Sequence, residues 1–299
     1  MDVTLLWIPI TLAAAVAQTG RNALQRDLTA RIGTIGATQV RFLFGVPFAA
    51  LFLVVALAAT GEALPRPGEG FAGFLVVGAL SQIAATALML AAMRERAFSV
   101  VTAYVKTEPV LTALFAIAVI GDPVTGPMLA AIAVATAGVI LVSHTPGKLG
   151  AGGLRPALLG LLAAVGFGLS AVAFRGAILA FEDGGFLVRA TTALVAALLL
   201  QTVILLVYLL AFDRRALVGS LREWRGSASA GFLGALASQF WFLGFALTSA
   251  ANVRTLALVE VVFAQIVSRR LFAQATSRRE LAGMALIVAG VGALLWKTV

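Results

Sequence analysis

The chain has 299 residues, of which 61% are hydrophobic and only 12% charged, against roughly a quarter charged in an ordinary soluble domain. This is a membrane composition, and apolar blocks recur along the whole length, so no stretch remains for a separate soluble domain. The net charge of +9 lies in short arginine clusters between the blocks, which points to orientation in a lipid bilayer and away from nucleic acid; with no cysteine and one histidine, His144, disulfides, thiol chemistry and a Cys/His metal site are excluded, and no cofactor is implied.

The opening "MDVTLLWIPITLAAAVAQ" carries a small-residue site at Ala15-Val16-Ala17, but its only early charge is Asp2, whereas a signal peptide needs a basic start. It reads as the first span. At about 20 residues per span, helices are expected near residues 3–25, 34–59, 71–93, 97–119 and 125–143. The Gly/Pro/Lys/Arg-rich "SHTPGKLGAGGLRP" follows as a linker, and five more spans are expected near 156–180, 186–212, 227–248, 251–272 and 279–297. The organisation expected is a repeat over 1–143, a linker over 144–155 and a second repeat over 156–299.

The halves can be laid on each other. "GAL-SQ" at 78–82, Glu108 and "AGV" at 137–139 recur in order as "GALASQ" at 234–239, Glu260 and "AGV" at 289–291. The spacing from the Glu to the AGV is the same in both. Arg41 in "VRFLFG" matches Arg189 in "VRATTA". A repeat with an odd number of spans re-enters the membrane from the other side, so two five-helix repeats would be inverted, with the solute site between them near the midplane. The expected fold is therefore an all-α integral membrane protein, ten transmembrane helices in two inverted five-helix repeats around a central cavity.

Loops after odd-numbered spans hold most of the arginines, among them Arg21, Arg26, Arg31, Arg94, Arg214, Arg215, Arg269 and Arg270. The alternate loops hold little beyond Arg66, Arg175, Arg254 and Lys297. The positive-inside rule then puts both termini outside the cytoplasm.

Charges inside spans are costly, about 2.5–3.5 kcal/mol each on insertion scales. Glu108 and Glu260 are central and repeat-equivalent, so they are expected to face the cavity, there to bind solute or exchange protons, or else to tie helices together. Lys106 stands about 200° around a helix from Glu108 and must look elsewhere, to a carboxylate on another helix or to an anionic solute group. Pro109 should break the helix one turn back, at Val105, as a hinge; its repeat partner is Val261, so the halves are not expected to bend alike. Tyr104, Glu108 and Thr112 share a helix face at four-residue spacing, as do Gln18 and Asn22. Gln82 and Gln239 are repeat-equivalent, and Trp241 could supply an aromatic wall. Arg41, Arg189 and Arg175, near helix ends, read as snorkelling side chains, and Asp122 in "GDPVTGP" as a helix cap. The small-residue stripe "AGMALIVAGVGALL" would serve contact within the bundle or a homodimer.

Ten short-looped spans, "TQVRFLFG" and "EPVLTALFAIAVIGDPVTGPMLAAIAVATAGVILV" resemble the EamA-type members of the drug/metabolite transporter superfamily. Pro109-Val110, Gly121-Asp122 and Gly138-Val139 match the family's pattern, with Asp122 replacing Glu; the second half lacks the Pro-Val pair and has Gln274 at the acidic position. The resemblance implies alternating-access transport of small organic solutes, often export of amino acids or related metabolites across a bacterial inner membrane. It also favours cytoplasmic termini, against the charge count, which is large and spread over both halves.

The leading expectation is a secondary transporter, not an enzyme. It would export amino acids or related small-molecule substrates, with the carboxylates and Lys106 suited to the two ends of a zwitterion and proton coupling through the Glu pair. The alternatives are an exporter of cationic drugs or polyamines and, from a different class, a lipid flippase. No intramembrane hydrolase motif or nucleotide-binding loop is visible.

Overall fold

The computed structural model describes residues 5–95, 98–143, 154–262 and 277–298. Most of the proposed linker and the second half of the ninth expected span lie outside them. The described residues form helices and turns, with an isolated bridge between Pro67 and Phe181. In chain order the helices are α1 (Trp7–Leu43), α2 (Val46–Thr60), α3 (Phe71–Glu95), α4 (Phe98–Val105), α5 (Glu108–Phe115), α6 (Gly126–Ser143), α7 (Leu154–Leu179), α8 (Phe186–Phe212), α9 (Arg214–Arg222), α10 (Trp224–Leu247), α11 (Ala250–Leu256) and α12 (Arg278–Thr298).

Six described helical stretches are long and apolar enough to cross a membrane: Trp7–Thr60, Phe71–Glu95, Leu154–Leu179, Phe186–Phe212, Trp224–Leu247 and Arg278–Trp296. Two shorter apolar stretches, Glu108–Ile120 and Gly126–Val142, lie between them. The outer faces suit lipid: Leu51, Val54, Val55, Val203, Val207 and Val288 are more than half exposed, while alanine and glycine fill the interior. Small residues let backbones approach closely. A Cβ on Gly138 of α6 would lie 2.6 Å from the Gly283 carbonyl of α12, and one on Gly290 of α12 would lie 2.6 Å from the Ala131 carbonyl of α6. The other close pairings are α1 with α10 and α3 with α7.

α1 runs through the loop expected at 26–33, because "RDLTARI" is a good helix former held by an Asp27–Arg31 ion pair of 3.1 Å. The reversal is made by one residue, Gly33, with φ 76° and ψ 172°, a conformation open to glycine. Gln25 Nε2 donates to the Ala37 carbonyl at 2.8 Å. Twelve residues of straight helix would separate those groups by about 18 Å, so the arms before and after Gly33 fold back on each other.

Proline sets the next breaks by one rule: it has no N–H to give and clashes with the carbonyl four residues earlier. Pro47 ends α1 at Leu43, and Pro109 ends α4 at Val105. With Val261 in place of proline at the equivalent register, the two halves are not expected to bend alike. The second half breaks there too, at Ala257–Leu258. Shorter three-residue bonds replace the helical ladder: Leu258 N to Thr255 O at 3.0 Å, Glu260 N to Ala257 O at 3.2 Å and Val261 N to Leu258 O at 3.1 Å. A proline is sufficient for such a break and not necessary.

One end of the bundle is tied by Arg31–Glu223 at 3.1 Å and Arg155–Glu95 at 3.2 Å. The other end is tied by Glu62, which accepts from Gly185 N at 2.6 Å, and by Arg66 N donating to Asp183 at 2.7 Å. Between α8 and α10 lies α9, capped by Asp213 on Ala216 N at 3.1 Å. Its arginine-rich sequence reads as loop, and its buried side, Ala216, Leu217 and Ser220, rests against α1.

Candidate functional site

The two helix breaks bring four charged groups together inside the bundle, where α5 packs against α11. Glu108, at the start of α5, takes Arg254 of α11: Arg254 Nε lies 2.9 Å from Glu108 Oε1. Lys106, in the break itself, takes Glu260, just beyond the second break. The pairs are therefore crossed. Each half of the chain supplies one acid and one cation, and each acid is matched by the cation of the other half. The side chains of the Arg254–Glu108 pair are 6% and 9% exposed. Lys106 and Glu108 do not pair with each other, although only Thr107 separates them, because the broken backbone sends them to different partners.

Around the pairs the side chains interlock. The Arg254 guanidinium stacks over the Trp241 ring of α10 at 4.3 Å and lies 5.3 Å from Phe245. Trp241 Nε1 donates to Gln18 Oε1 of α1 at 3.0 Å. Trp241 is thus a buried platform for a cation. Thr19 Oγ1 reaches Glu260 Oε2 at 3.5 Å.

Two further arginines lie beside this group, both read from the sequence as interface residues. Arg21, one of the supposed loop arginines, is 1% exposed within α1 and donates through Nε and Nη2 to Asn22 Oδ1 at 3.1 and 2.6 Å. Arg41 does not snorkel; it is 2% exposed and donates to Thr86 Oγ1 at 3.2 Å and Ser238 Oγ at 3.4 Å. Both stems pack on Gly234 of α10, where a Cβ would lie 3.2 Å from Arg41 Cγ and 3.5 Å from Arg21 Cδ. Arg21 feels the charges of Arg254 and Glu260, and Arg41 those of Arg21 and Arg254, so the six groups share one field. Among the described residues neither Arg21 nor Arg41 has a carboxylate partner.

Other expected residues lie elsewhere. Gln82 accepts from Gln201 Nε2 at 2.9 Å and Gln239 donates to Thr191 Oγ1 at 2.8 Å, so both turn to α8. Tyr104 packs on Gly160 of α7 and Thr112 on Gly168 of the same helix. The face expected to join Tyr104 to Glu108 presupposed an unbroken helix, and the break at Lys106–Thr107 removes it, whereas Thr112 stays in register within α5 and donates to the Glu108 carbonyl at 3.0 Å. Asp122 does not cap the next helix. It receives Arg175 Nε at 2.8 Å, while Arg175 Nη1 donates to the carbonyls of Phe245 at 2.5 Å and Thr248 at 2.7 Å. That arginine, too, is a tie and not a snorkelling group, joining α7, α10 and the turn after α5. Arg189 is half-buried and its Nε has no hydrogen-bond partner among the described residues.

At the opposite end from Arg175, a cavity of about 380 Å³ opens between α1 and α3, with Arg26 and Arg94 in its lining. Arg26 is five residues from Arg21, about 7.5 Å along a helix.

A lipid-faced helical bundle with broken helices and a charged interior is a multi-pass membrane protein. Residues 5–144 match the model of the EamA-like transporter family. No curated protein matches the chain. A solved structure described only as a crystal structure of a protein is similar to it in fold, with a TM-score of 0.68 at 15% identity over 100% of this chain and 97% of that one.

Proposed function

We propose that the protein is a secondary transporter that moves small organic solutes, amino acids or related metabolites, out across a bacterial inner membrane by alternating access. The observation that carries this reading is the crossed pair, Glu108 with Arg254 and Lys106 with Glu260. Charges are kept inside membrane bundles at a cost, and where they sit on interrupted helices they mark solute and ion paths. Two pairs that can open and re-form across the interface between the halves give a switch with two states.

Two inverted five-helix repeats, 1–143 and 156–299, are part of the proposal. The contacts support it: Gly138 meets Gly283 and Ile287, and Gly290 meets Ala131 and Ala135. The spacing that carries Glu108 onto Glu260 carries one set onto the other. The pairings of α1 with α10 and α3 with α7 likewise exchange under such an axis. Gly283 and Gly290 being used on α6 favours the bundle as the role of the small-residue stripe; a homodimer would use its exposed side, Ala282, Ala285, Ala289, Gly292 and Ala293.

In the mechanism, the Arg175–Asp122 tie closes one end while the Arg26–Arg94 cavity leaves the other accessible, and the solute reaches the charged centre from that side. Glu108 and Glu260 are the groups that would exchange protons when their partners leave. The cationic-drug alternative has less support, since each carboxylate already has a cation, and a flippase would need a groove open to lipid beside the pairs. The test is solute counterflow in proteoliposomes with labelled amino acids, organic acids, sugars and polyamines, with and without an imposed pH gradient. Exchange of any amino acid or organic acid supports transport; no exchange with the whole panel overturns it, and indifference to the gradient overturns the proton step alone.

A further inference from the structure

The charges at the centre do not balance. Arg21, Arg41, Lys106 and Arg254 face Glu108 and Glu260, and the two acids are taken by Arg254 and Lys106. Every other described acidic residue is engaged or exposed at the ends of the bundle, as with Asp27, Glu95, Asp122, Asp183 and Glu223; only Asp2 lies outside the described residues. Arg21 and Arg41 therefore form a buried couple of like charges whose hydrogen-bond partners, Asn22, Thr86 and Ser238, are all neutral. A guanidinium keeps its proton in proteins, so neither can become neutral to escape the cost of burial. Each also has an unused donor: Arg21 Nη1 and Arg41 Nε are buried without a hydrogen-bond partner among the described residues. Asn22 orients one guanidinium, Thr86 and Ser238 orient the other, and Gly234 provides the space for both stems.

We propose that Arg21 and Arg41 are the solute-recognition residues and that the solute is a small organic anion bearing two negative charges on oxygen, a dicarboxylate or a phosphate monoester. Two planar donor forks whose stems pack on the same Gly234 match such groups, which accept paired N–H bonds from guanidinium. The anion supplies the carboxylate or phosphate partner that no described residue gives these two arginines. Arg26 and Arg94, lining the neighbouring cavity, form the positive approach that draws the anion in from the Arg31–Glu223 end of the bundle. This rests on the transporter reading and narrows its solute; an acidic amino acid, with two carboxylates, falls within the class.

The test uses the purified full chain. Its thermal midpoint is measured with succinate, aspartate, glycerol 3-phosphate, inorganic phosphate, leucine and putrescine, and counterflow of the same labelled compounds is followed in proteoliposomes. Stabilisation by succinate or aspartate selects the dicarboxylate arm, and by glycerol 3-phosphate the phosphate arm. Arg41→Gln and Arg21→Gln are each expected to weaken the stabilising anion about tenfold or more, as loss of a charged hydrogen bond does. Arg41→Lys should retain part of the response. The unliganded midpoint should hold or rise in the Gln variants, since each removes an unpaired buried cation; a merely structural arginine would lower it. Stabilisation by leucine or putrescine and not by any dianion, or an undiminished anion response in both Gln variants, overturns the proposal. Counterflow of leucine alone would leave the transporter standing without its anion, whereas dianion binding without counterflow of any compound would sink the transporter reading and leave the anion site.

Discussion

Neutralising one member of a crossed pair should be far more damaging than neutralising both. In Glu108→Gln, Arg254 stays buried at 6% exposure with its partner at 2.9 Å gone, and removing one partner of a buried pair costs about 3–5 kcal/mol. At roughly 2 °C per kcal/mol for a chain of this size, the thermal midpoint should fall by about 6–10 °C. Arg254→Met should cost at least as much, because it also removes the stack on Trp241 at 4.3 Å, a contact of about 2 kcal/mol when desolvated. The Glu108→Gln/Arg254→Met double variant leaves no charge unpaired, and replacing a whole buried pair by neutral groups is often neutral or stabilising. Its midpoint should return to within about 4 °C of wild type, the lost stack on Trp241 being the remaining cost. Tryptophan fluorescence on heating reads all four proteins. If the double variant loses the sum of the two single losses, the groups are not coupled and the crossed-pair reasoning is wrong.

Gly138→Val should destabilise by about 1–3 kcal/mol or prevent folding, since overpacking there meets backbone: the Cβ would lie 2.6 Å from the Gly283 carbonyl and 2.7 Å from Ile287 N. Gly292→Val, which meets nothing within 4 Å, should leave the midpoint unchanged, and equal effects from the two would discount the α6–α12 contact. Trp241→Phe keeps a ring under Arg254 and loses the hydrogen bond to Gln18, a loss of about 1 kcal/mol; Trp241→Leu should cost more by the same thermal assay, and no difference between them would remove the stack from the account. A fluorescent reporter active only in the cytoplasm, fused after Val299, should stay dark if the arginine-rich end faces the cytoplasm, and a bright fusion would reverse the orientation.

Much of the fold is written in length and hydropathy, which is why α3, α7, α8 and α10 fall close to their expected limits. The breaks are legible only in part. Pro47 and Pro109 announce themselves through a missing N–H, whereas the break at Ala257–Leu258 depends on three-residue backbone bonds that no residue type signals. Glu108, Glu260 and Lys106 stood out as charges in apolar segments. Arg21 and Arg254 were equally inside expected spans but were counted with the loops, because arginine near a helix end ordinarily snorkels. The signal for Arg21 was its neighbours: Gln18, Arg21, Asn22 and Gln25 recur at three- and four-residue intervals and so mark one polar helix face. No such pattern points to Arg41, whose hydroxyl partners come from α3 and α10.

The central claim is that the two ends of the bundle open in alternation around the charged centre. The chain has no cysteine, so spin labels can be placed by substitution alone, on Ala30 and Arg94 beside the cavity and on Thr125 and Leu179 beside the Arg175–Asp122 tie. Pulsed electron-spin distance measurements should give two populations at each end. Arg175→Gln, which releases the tie, should lengthen the Thr125–Leu179 distance and shorten the Ala30–Arg94 distance. A single fixed distance at both ends, or both ends widening together, would contradict alternating access.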